Sequence, residues 1–405
     1  MADPAAEASH QLAVLATAMV LAMSTWFSTA AVLGQLRVDW DLSRTEASWL
    51  TIVVQLGFVV GAVCSSLTNL ADRVPPRRLV FLGAVGAAVA NAAVVLADGF
   101  GSAVALRFVT GACLAAVYPP ALKAMSSWFV KGRGFALGVM VGALTLGSAL
   151  PHLINGLGGL DWKLTLLIAS GTTLLGGSIA EVLGADGPHL TAGAVFDRTQ
   201  VRKILTNRDF QLASSGYFGH MWELYAMWSW IAAFYGDALD TSARTASLAA
   251  FGVIGIGAAG CVYAGLVSDR RSRYEAAGLA MRWSGTVAVA IGFLVDAPTP
   301  VVLGAGLVWG FWVVADSAQF STIVTEVTDR RYVGTALTLQ LAIGFVLTVF
   351  TIFLVPVVRD GHGWGWAFLL LAPGPILGMW AMRALEGRAA SRPAQPADPV
   401  VSPFF

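Results

Sequence analysis

Two charged turns bound what this chain can fold into. Leu70-Ala71-Asp72-Arg73, followed by Arg77 and Arg78, lies between long apolar runs, and Gly265-Leu266-Val267-Ser268-Asp269-Arg270-Arg271 repeats the device. Asp72 and Asp269 stand 197 residues apart, about half of the 405-residue chain. A helix leaving a bilayer meets water at each turn, Pro75 and Pro76 prevent the first from continuing, and the arginines hold both turns on one face. The same turn at half-length predicts a chain built twice.

Composition agrees with membrane residence. Hydrophobic residues make up 57% of the chain and charged residues 12%, against about 25% charged in soluble domains. The net charge of +1 argues against a nucleic-acid partner. Cys64, Cys113 and Cys261 sit inside apolar runs without metal or disulfide spacing, so they read as small buried residues. Neither a metal nor a cofactor is expected. With about 20 apolar residues needed per crossing, the predicted spans are 11–35, 46–71, 78–97, 102–128, 133–157, 163–183, 210–235, 244–267, 276–295, 300–325, 333–357 and 364–383. These twelve predict an all-α polytopic membrane protein in two six-helix halves. The expected organisation is a bundle over 1–183, a cytoplasmic linker over 184–209, a second bundle over 210–385 and a disordered cytoplasmic tail over 386–405. No Lys or Arg precedes Arg37, and the first run exceeds a signal core, so it reads as a retained helix. With both termini cytoplasmic, the outer turns hold only Arg37, Arg44, Lys163, Arg244 and Arg359, the asymmetry expected of a bacterial cytoplasmic (inner) membrane protein. A monomer is expected.

Local signals mark the spans. Ser43 with Glu46 is a capping box opening span 2. Span 1 carries a polar patch, Ser24 to Thr29 around Trp26, that reads either as interhelical bonding or as a cavity wall. Arg107 in span 4 either snorkels or faces protein, while Pro119 and Pro120 kink the same span after Tyr118. Lys123 lies sixteen residues beyond Arg107, about 160° around a helix, and is expected at the inner surface. In span 5, Gly134, Gly138 and Gly142 form a small-residue seam, and His152 follows Pro151 near the outer end. Span 7 places His220 and Glu223 three residues apart, with Trp222 and Tyr225 between and after them. Glu223 falls about 13 residues into its span, near the midplane, where a charge costs several kcal/mol unless neutral or paired. Either a bond across to another helix or a functional role satisfies that demand. Span 10 puts Trp309, Trp312, Asp316 and Gln319 on one expected face, which must meet protein or a watery cavity.

The halves superpose as sequence. Trp26 pairs with Trp222 at 196 residues, Gly111 with Gly310 at 199, Gly134 with Gly334 at 200 and Trp162 with Trp364 at 202. On these residues the chain resembles the major facilitator superfamily over almost its full length. Leu70 to Arg73 with Arg77 and Arg78 looks like that family's signature turn, although Thr68 stands where Gly is usual. Arg107 and Gly111 look like its span-4 motif. Gly138, Gly142 and Gly147 look like its antiporter motif, with Ala143 and Leu146 departing from it. The resemblance implies that spans 1, 4, 7 and 10 line a central cavity. Within the family the chain looks loosely like the nitrate- and cyanate-permease branch, but it lacks that branch's paired arginines in spans 2 and 8.

The resulting expectation is a secondary transporter working by alternating access. No phosphate-binding loop suggests ATP, so proton coupling is the economical choice. Glu223 and Asp316 are the candidate proton carriers, tuned by His220. Arg107, Trp26, Tyr118, Trp222, Tyr225, Trp312 and Gln319 are candidate substrate contacts, and Asp72, Arg73, Asp269 and Arg270 candidate gating residues. Arg107 favours a small organic or inorganic anion. The deep acids and aromatic rings favour an amphipathic cation or drug. A membrane enzyme or a sensor is the remote alternative.

Overall fold

Long apolar runs separated by charged turns become helices because only a helix satisfies its backbone within one segment in lipid. The structure is a computed structural model that describes residues 4–129, 131–158, 160–190, 198–329 and 332–391. The crossing helices are α1 (Ala5–Thr25), α2 (Thr45–Leu67), α3 (Pro76–Leu96), α4 (Phe100–Ser126), α5 (Arg133–Leu157), α6 (Trp162–Leu183), α7 (Arg208–Ala238), α8 (Ala243–Arg270), α9 (Arg273–Leu294), α10 (Thr299–Val327), α11 (333–362) and α12 (364–390). Ten stretches among the described residues are long and apolar enough to cross a membrane. Two observations reconcile these ten with twelve. Gly363, at φ 82°, breaks the last stretch into α11 and α12, a left-handed conformation open to glycine. Helix α7 has 31 residues, but its polar residues keep it from standing out by hydropathy. The chain is an integral membrane protein.

The predicted halves form. Within α1–α6, α2 packs on α4 and α3 on α6; within α7–α12, α8 packs on α10 and α9 on α12. The halves meet along α5–α8 and α2–α11. The seam of Gly134, Gly138 and Gly142 faces α8: added Cβ atoms would meet Asp269, the Cys261 carbonyl and Ala258.

The repeat reaches individual contacts. A Cβ on Gly111 would strike the Val54 carbonyl oxygen, and one on Gly310 the Val253 carbonyl, every position shifted by 199. Gly61 against Ala112 recurs as Gly260 against Phe311 with the same shift. The turns opening α2 and α8 match too: Asp41 (φ 47°) precedes the cap Ser43, and Asp240 (φ 43°) precedes the cap Ser242. The predicted capping box is present, since Ser43 Oγ accepts from the Glu46 N–H and Glu46 Oε2 accepts from the Ser43 N–H.

Four of the crossing helices are interrupted among the described residues, α12 by a turn at 370–372 just before Pro373. Helix α4 turns at 115–117, just before Pro119 and Pro120 as predicted. Helix α10 turns at 314–316, the same place shifted by 199, without any proline. Helix α1 ends as a 3-10 turn at Met23–Thr25, and two short helical pieces, Ser28–Ala31 and Leu33–Asp39, follow it. The expected boundaries shift slightly: α7 opens at Arg208 inside the expected linker, and the last helix runs to Ala390 inside the expected tail. The remainder of that tail, 392–405, lies outside the described residues.

Candidate functional site

A cavity of about 320 Å³ lies between the halves, reaching the side that carries the linker. The broken helices supply much of its wall. Tyr118 and Lys123 come from α4 below its break, and Ser317, Ser321 and Thr322 from α10 below its own. Helix α5 adds Arg133, Leu137, Val141 and Leu144, spaced so that one face of the helix lines the space. Helix α7 adds Tyr217, His220, Met221, Leu224 and Tyr225, and α11 adds Gln340 and Phe345. His189 and Leu190 close one edge. They are placed by Ser127, whose Oγ accepts from the Gly187 N–H at 2.7 Å and whose carbonyl accepts from the His189 N–H at 3.0 Å. The wall is mainly apolar, and its basic side chains are Lys123, Arg133, His189 and His220.

An aromatic plug ends the cavity. Trp26 and Phe58 are 4.9 Å apart between ring centroids, Phe58 and Phe345 4.7 Å, and Tyr225 and Phe345 5.2 Å. Phe27 meets Trp228 edge-on at 5.6 Å. These rings come from α2, α7, α11 and the break after α1, so both halves contribute to the closure.

The structure divides the predicted site residues. Tyr118, Tyr225 and His220 line the cavity, and Trp26 forms part of the plug. Asp316 lies behind His220, with Oδ1 at 2.7 Å from His220 Nδ1 and both side chains buried. The oxygen lies off the ring N–H direction, so this is a close ionisable pair rather than a well-aligned hydrogen bond.

Arg107 is buried away from the cavity. It donates through Nη1 to the Thr25 carbonyl (2.9 Å), Ser28 Oγ (3.2 Å) and Asn91 Oδ1 (2.6 Å), and through Nη2 to the Trp26 carbonyl at 2.6 Å. Glu223 is likewise inside its half-bundle, where Oε1 accepts from Trp309 Nε1 at 2.6 Å and Oε2 from Ser284 Oγ at 2.9 Å. This is the bond across to other helices that the sequence left open.

Other expected contacts point elsewhere. Trp222 donates to the Leu370 carbonyl at 3.0 Å, at the turn inside α12. Trp312 stacks on Trp283 at 6.4 Å and meets Tyr263 edge-on at 5.8 Å. Gln319 is buried, and its amide atoms have no hydrogen-bond partner among the described residues. The single face expected for Trp309, Trp312, Asp316 and Gln319 does not form because the 314–316 turn rotates the lower half of α10 against the upper.

Of the gating candidates, Asp269 is engaged. Its carboxylate accepts from the Gly134 N–H at 3.0 Å and the Phe135 N–H at 2.8 Å, tying the end of α8 to the first turn of α5. Arg73 and Arg270 are exposed. The Asp72 side chain lies outside the described residues. On the same side, Ser66 and Thr338 hydroxyls meet at 3.0 Å between α2 and α11.

Sequence reasoning missed Lys123 as a wall residue, because the kink it recognised brings that turn back to the cavity. It missed Tyr217, although Tyr217, His220, Leu224 and Tyr225 follow helical spacing, and it missed the Ser317–Ser321 pair.

Comparisons with known proteins bear on the family. The sequence profile of the Major Facilitator Superfamily matches residues 14–315. A segment of 162 residues is 29% identical to the multidrug efflux pump LfrA of Mycolicibacterium smegmatis, covering 39% of this chain and 32% of that protein. The matched segment thus spans about a third of that relative's length. The fold also resembles the crystal structure of a bacterial homologue of the human lysosomal transporter Spinster, solved inward-facing and unoccupied. There the TM-score is 0.65 over 95% of each chain at 14% identity, a likeness of fold alone.

Proposed function

The chain belongs to the Major Facilitator Superfamily, and from that premise we propose that it carries an amphipathic organic anion across the membrane by alternating access of its two halves. The observation that carries the reading is the wall of the inter-half cavity: largely apolar and aromatic, with Lys123, Arg133, His189 and His220 as its basic side chains. An apolar body fits the wall, and an anionic head fits the basic mouth. Arg107, the residue that first pointed to an anion, lends no support, because its guanidinium is occupied by the break in α1. Proton coupling is assigned to the His220–Asp316 pair, since His220 faces the cavity and Asp316 backs it at 2.7 Å. Glu223 then holds α9 and α10 to α7.

A second reading, export of amphipathic cations, draws on the segment shared with the multidrug pump and on the Tyr and Phe side chains of the wall. One pair of compounds separates the two. Dansylglycine and dansylcadaverine share the dansyl group and carry opposite charges. In proteoliposomes with an imposed pH gradient, the anion reading expects accumulation of dansylglycine alone. Accumulation of dansylcadaverine alone establishes the cation reading instead.

One chain encloses the whole path, which supports a monomer. The basic inner turns support a bacterial inner-membrane location with cytoplasmic termini. Thr199→Cys and Thr299→Cys test the topology: an impermeant thiol reagent on intact cells should reach the second position only.

A further inference from the structure

The wall of the cavity continues past its closed end. On α5, residues 137, 141 and 144 line the cavity, and the same helical face continues through 148, 152 and 155. Asn155, at the far end, is engaged: its amide donates to the Ala31 carbonyl at 2.8 Å and to Ser247 Oγ at 2.9 Å. Arg244 seals the same level by donating to the Gly156 and Leu157 carbonyls at 2.8 and 3.1 Å. Between the open cavity and this seal sit Ser148 and His152, 1% and 0% exposed. Ser148 Oγ and both ring nitrogens of His152 have no hydrogen-bond partner among the described residues. Helix α7 repeats the pattern from the other half. Met221, Leu224 and Tyr225 line the cavity, and the next turn of that face presents Trp228, fully buried, with an indole N–H that has no partner among the described residues.

Buried polar groups are nearly always paired, and each exception demands an explanation. Leaving one unpaired forfeits the solvation it had in water, and here three side chains from two halves carry that penalty. Their level is fixed by α1. Gly147 packs on Val20 and Met23, Asn155 on Ala31, and Phe27, which lies between, touches Trp228. The three groups therefore border the outer side of the plug, on the axis that joins the cavity to the outer pocket lined by Ala31, Ser229 and Ser247.

We propose that Ser148, His152 and Trp228 form a second substrate subsite, closed in this structure, that receives the polar head of the solute when the molecule opens to the opposite side. The indole N–H can only donate, and the hydroxyl and imidazole can each donate as well. No acid is among the three. The ligand is accordingly an apolar organic molecule with a hydrogen-bond-accepting head, a carboxylate above all. The proposal rests on the alternating-access reading and adds where the path runs.

Impermeant maleimide, applied to full-length protein in proteoliposomes from the face that Thr299→Cys reports, tests it. Ser148→Cys and His152→Cys should be labelled. Wild type and Ala149→Cys, on the α8-facing flank of the same helix, should not. Dansylglycine should slow the labelling of Ser148→Cys, and dansylcadaverine should not. Trp228→Phe keeps an aromatic ring, though a smaller one, and loses the N–H, so protection there should need about fivefold more dansylglycine. Labelling of Ser229→Cys without labelling at 148 or 152 overturns the subsite while leaving alternating access intact. Labelling of Ser148→Cys from the termini side alone overturns both. Equal protection by the two dansyl compounds overturns the assignment of an accepting head.

Discussion

The two halves share a backbone template but solve the problem of a buried charge in opposite ways. The first half buries a cation, Arg107, and breaks a helix around it. The second buries an acid, Glu223, and keeps its helix whole over 31 residues. The difference follows from donor and acceptor chemistry. A guanidinium can only donate, and its acceptors are Ser28 Oγ and Asn91 Oδ1 together with the two carbonyls that α1 frees where it unwinds at Thr25 and Trp26. A carboxylate can only accept, and mid-helix backbone N–H groups are already used. Glu223 therefore recruits Trp309 and Ser284 from neighbouring helices and leaves α7 intact. A buried charge meets an unwound backbone in the first half and is a cross-helix fastening in the second.

Substitutions can break or sharpen that contrast. Arg107→Met has the largest expected effect. It takes the donor from the Trp26 carbonyl and leaves the Thr25 carbonyl and Asn91 Oδ1 to share the single Ser28 hydroxyl, at about 1–3 kcal/mol for each buried group left unpaired, and should sharply reduce folded protein recovered in detergent. Normal thermal stability with selective loss of transport would break the comparison, because Arg107 would then act on the solute. Asp316→Asn comes next. It should abolish pH-driven accumulation in proteoliposomes while preserving folded protein and binding. Retained accumulation moves the coupling role to Glu223.

Glu223→Gln should be milder. The amide oxygen can still accept from Trp309, and the NH2 can donate to Ser284 Oγ once that hydroxyl turns to the Met281 carbonyl, so a loss of about 1 kcal/mol in stability is expected with coupling retained. Loss of pH-driven accumulation at wild-type stability would show the reverse assignment. The smallest effects concern the matched caps. Ser43→Ala should cost about 1 kcal/mol, and Ser242→Ala somewhat less. Ser43 belongs to a reciprocal box with Glu46, whereas Ser242 has Thr245 at the matching position. Equal shifts in melting temperature would mean that the Glu46 arm adds nothing.

What was legible in the sequence was whatever is encoded locally. Apolar length gave the spans, Ser43 and Glu46 the cap, Pro119 and Pro120 the kink in α4, and the glycines the α5–α8 seam. The break in α1 was not legible, because residues 23–32 contain neither Pro nor Gly; the carbonyl it frees at Thr25 is satisfied by a side chain 82 residues away. The break in α10 carries no local sign either. The repeat contained the information, since 314–316 is the α4 break displaced by 199 residues. Missing it merged Trp312 and Asp316 onto one face and assigned both to the cavity, when one lies against Trp283 and the other backs His220. Arg107 and Glu223 were recognised as costly in lipid, but burial cost alone does not tell a group that lines a cavity from one that fastens a bundle.

The contacts repeated at 199 residues bear on how such a molecule ages. Gly111 on Val54 and Gly310 on Val253, like Gly61 on Ala112 and Gly260 on Phe311, set a missing side chain against a carbonyl oxygen. The partner can change identity, as from alanine to phenylalanine, without disturbing the fit, because only its backbone takes part. Mutation can therefore rewrite most of the surrounding surface while the architecture stands, held by a few positions where nothing larger than hydrogen is admitted.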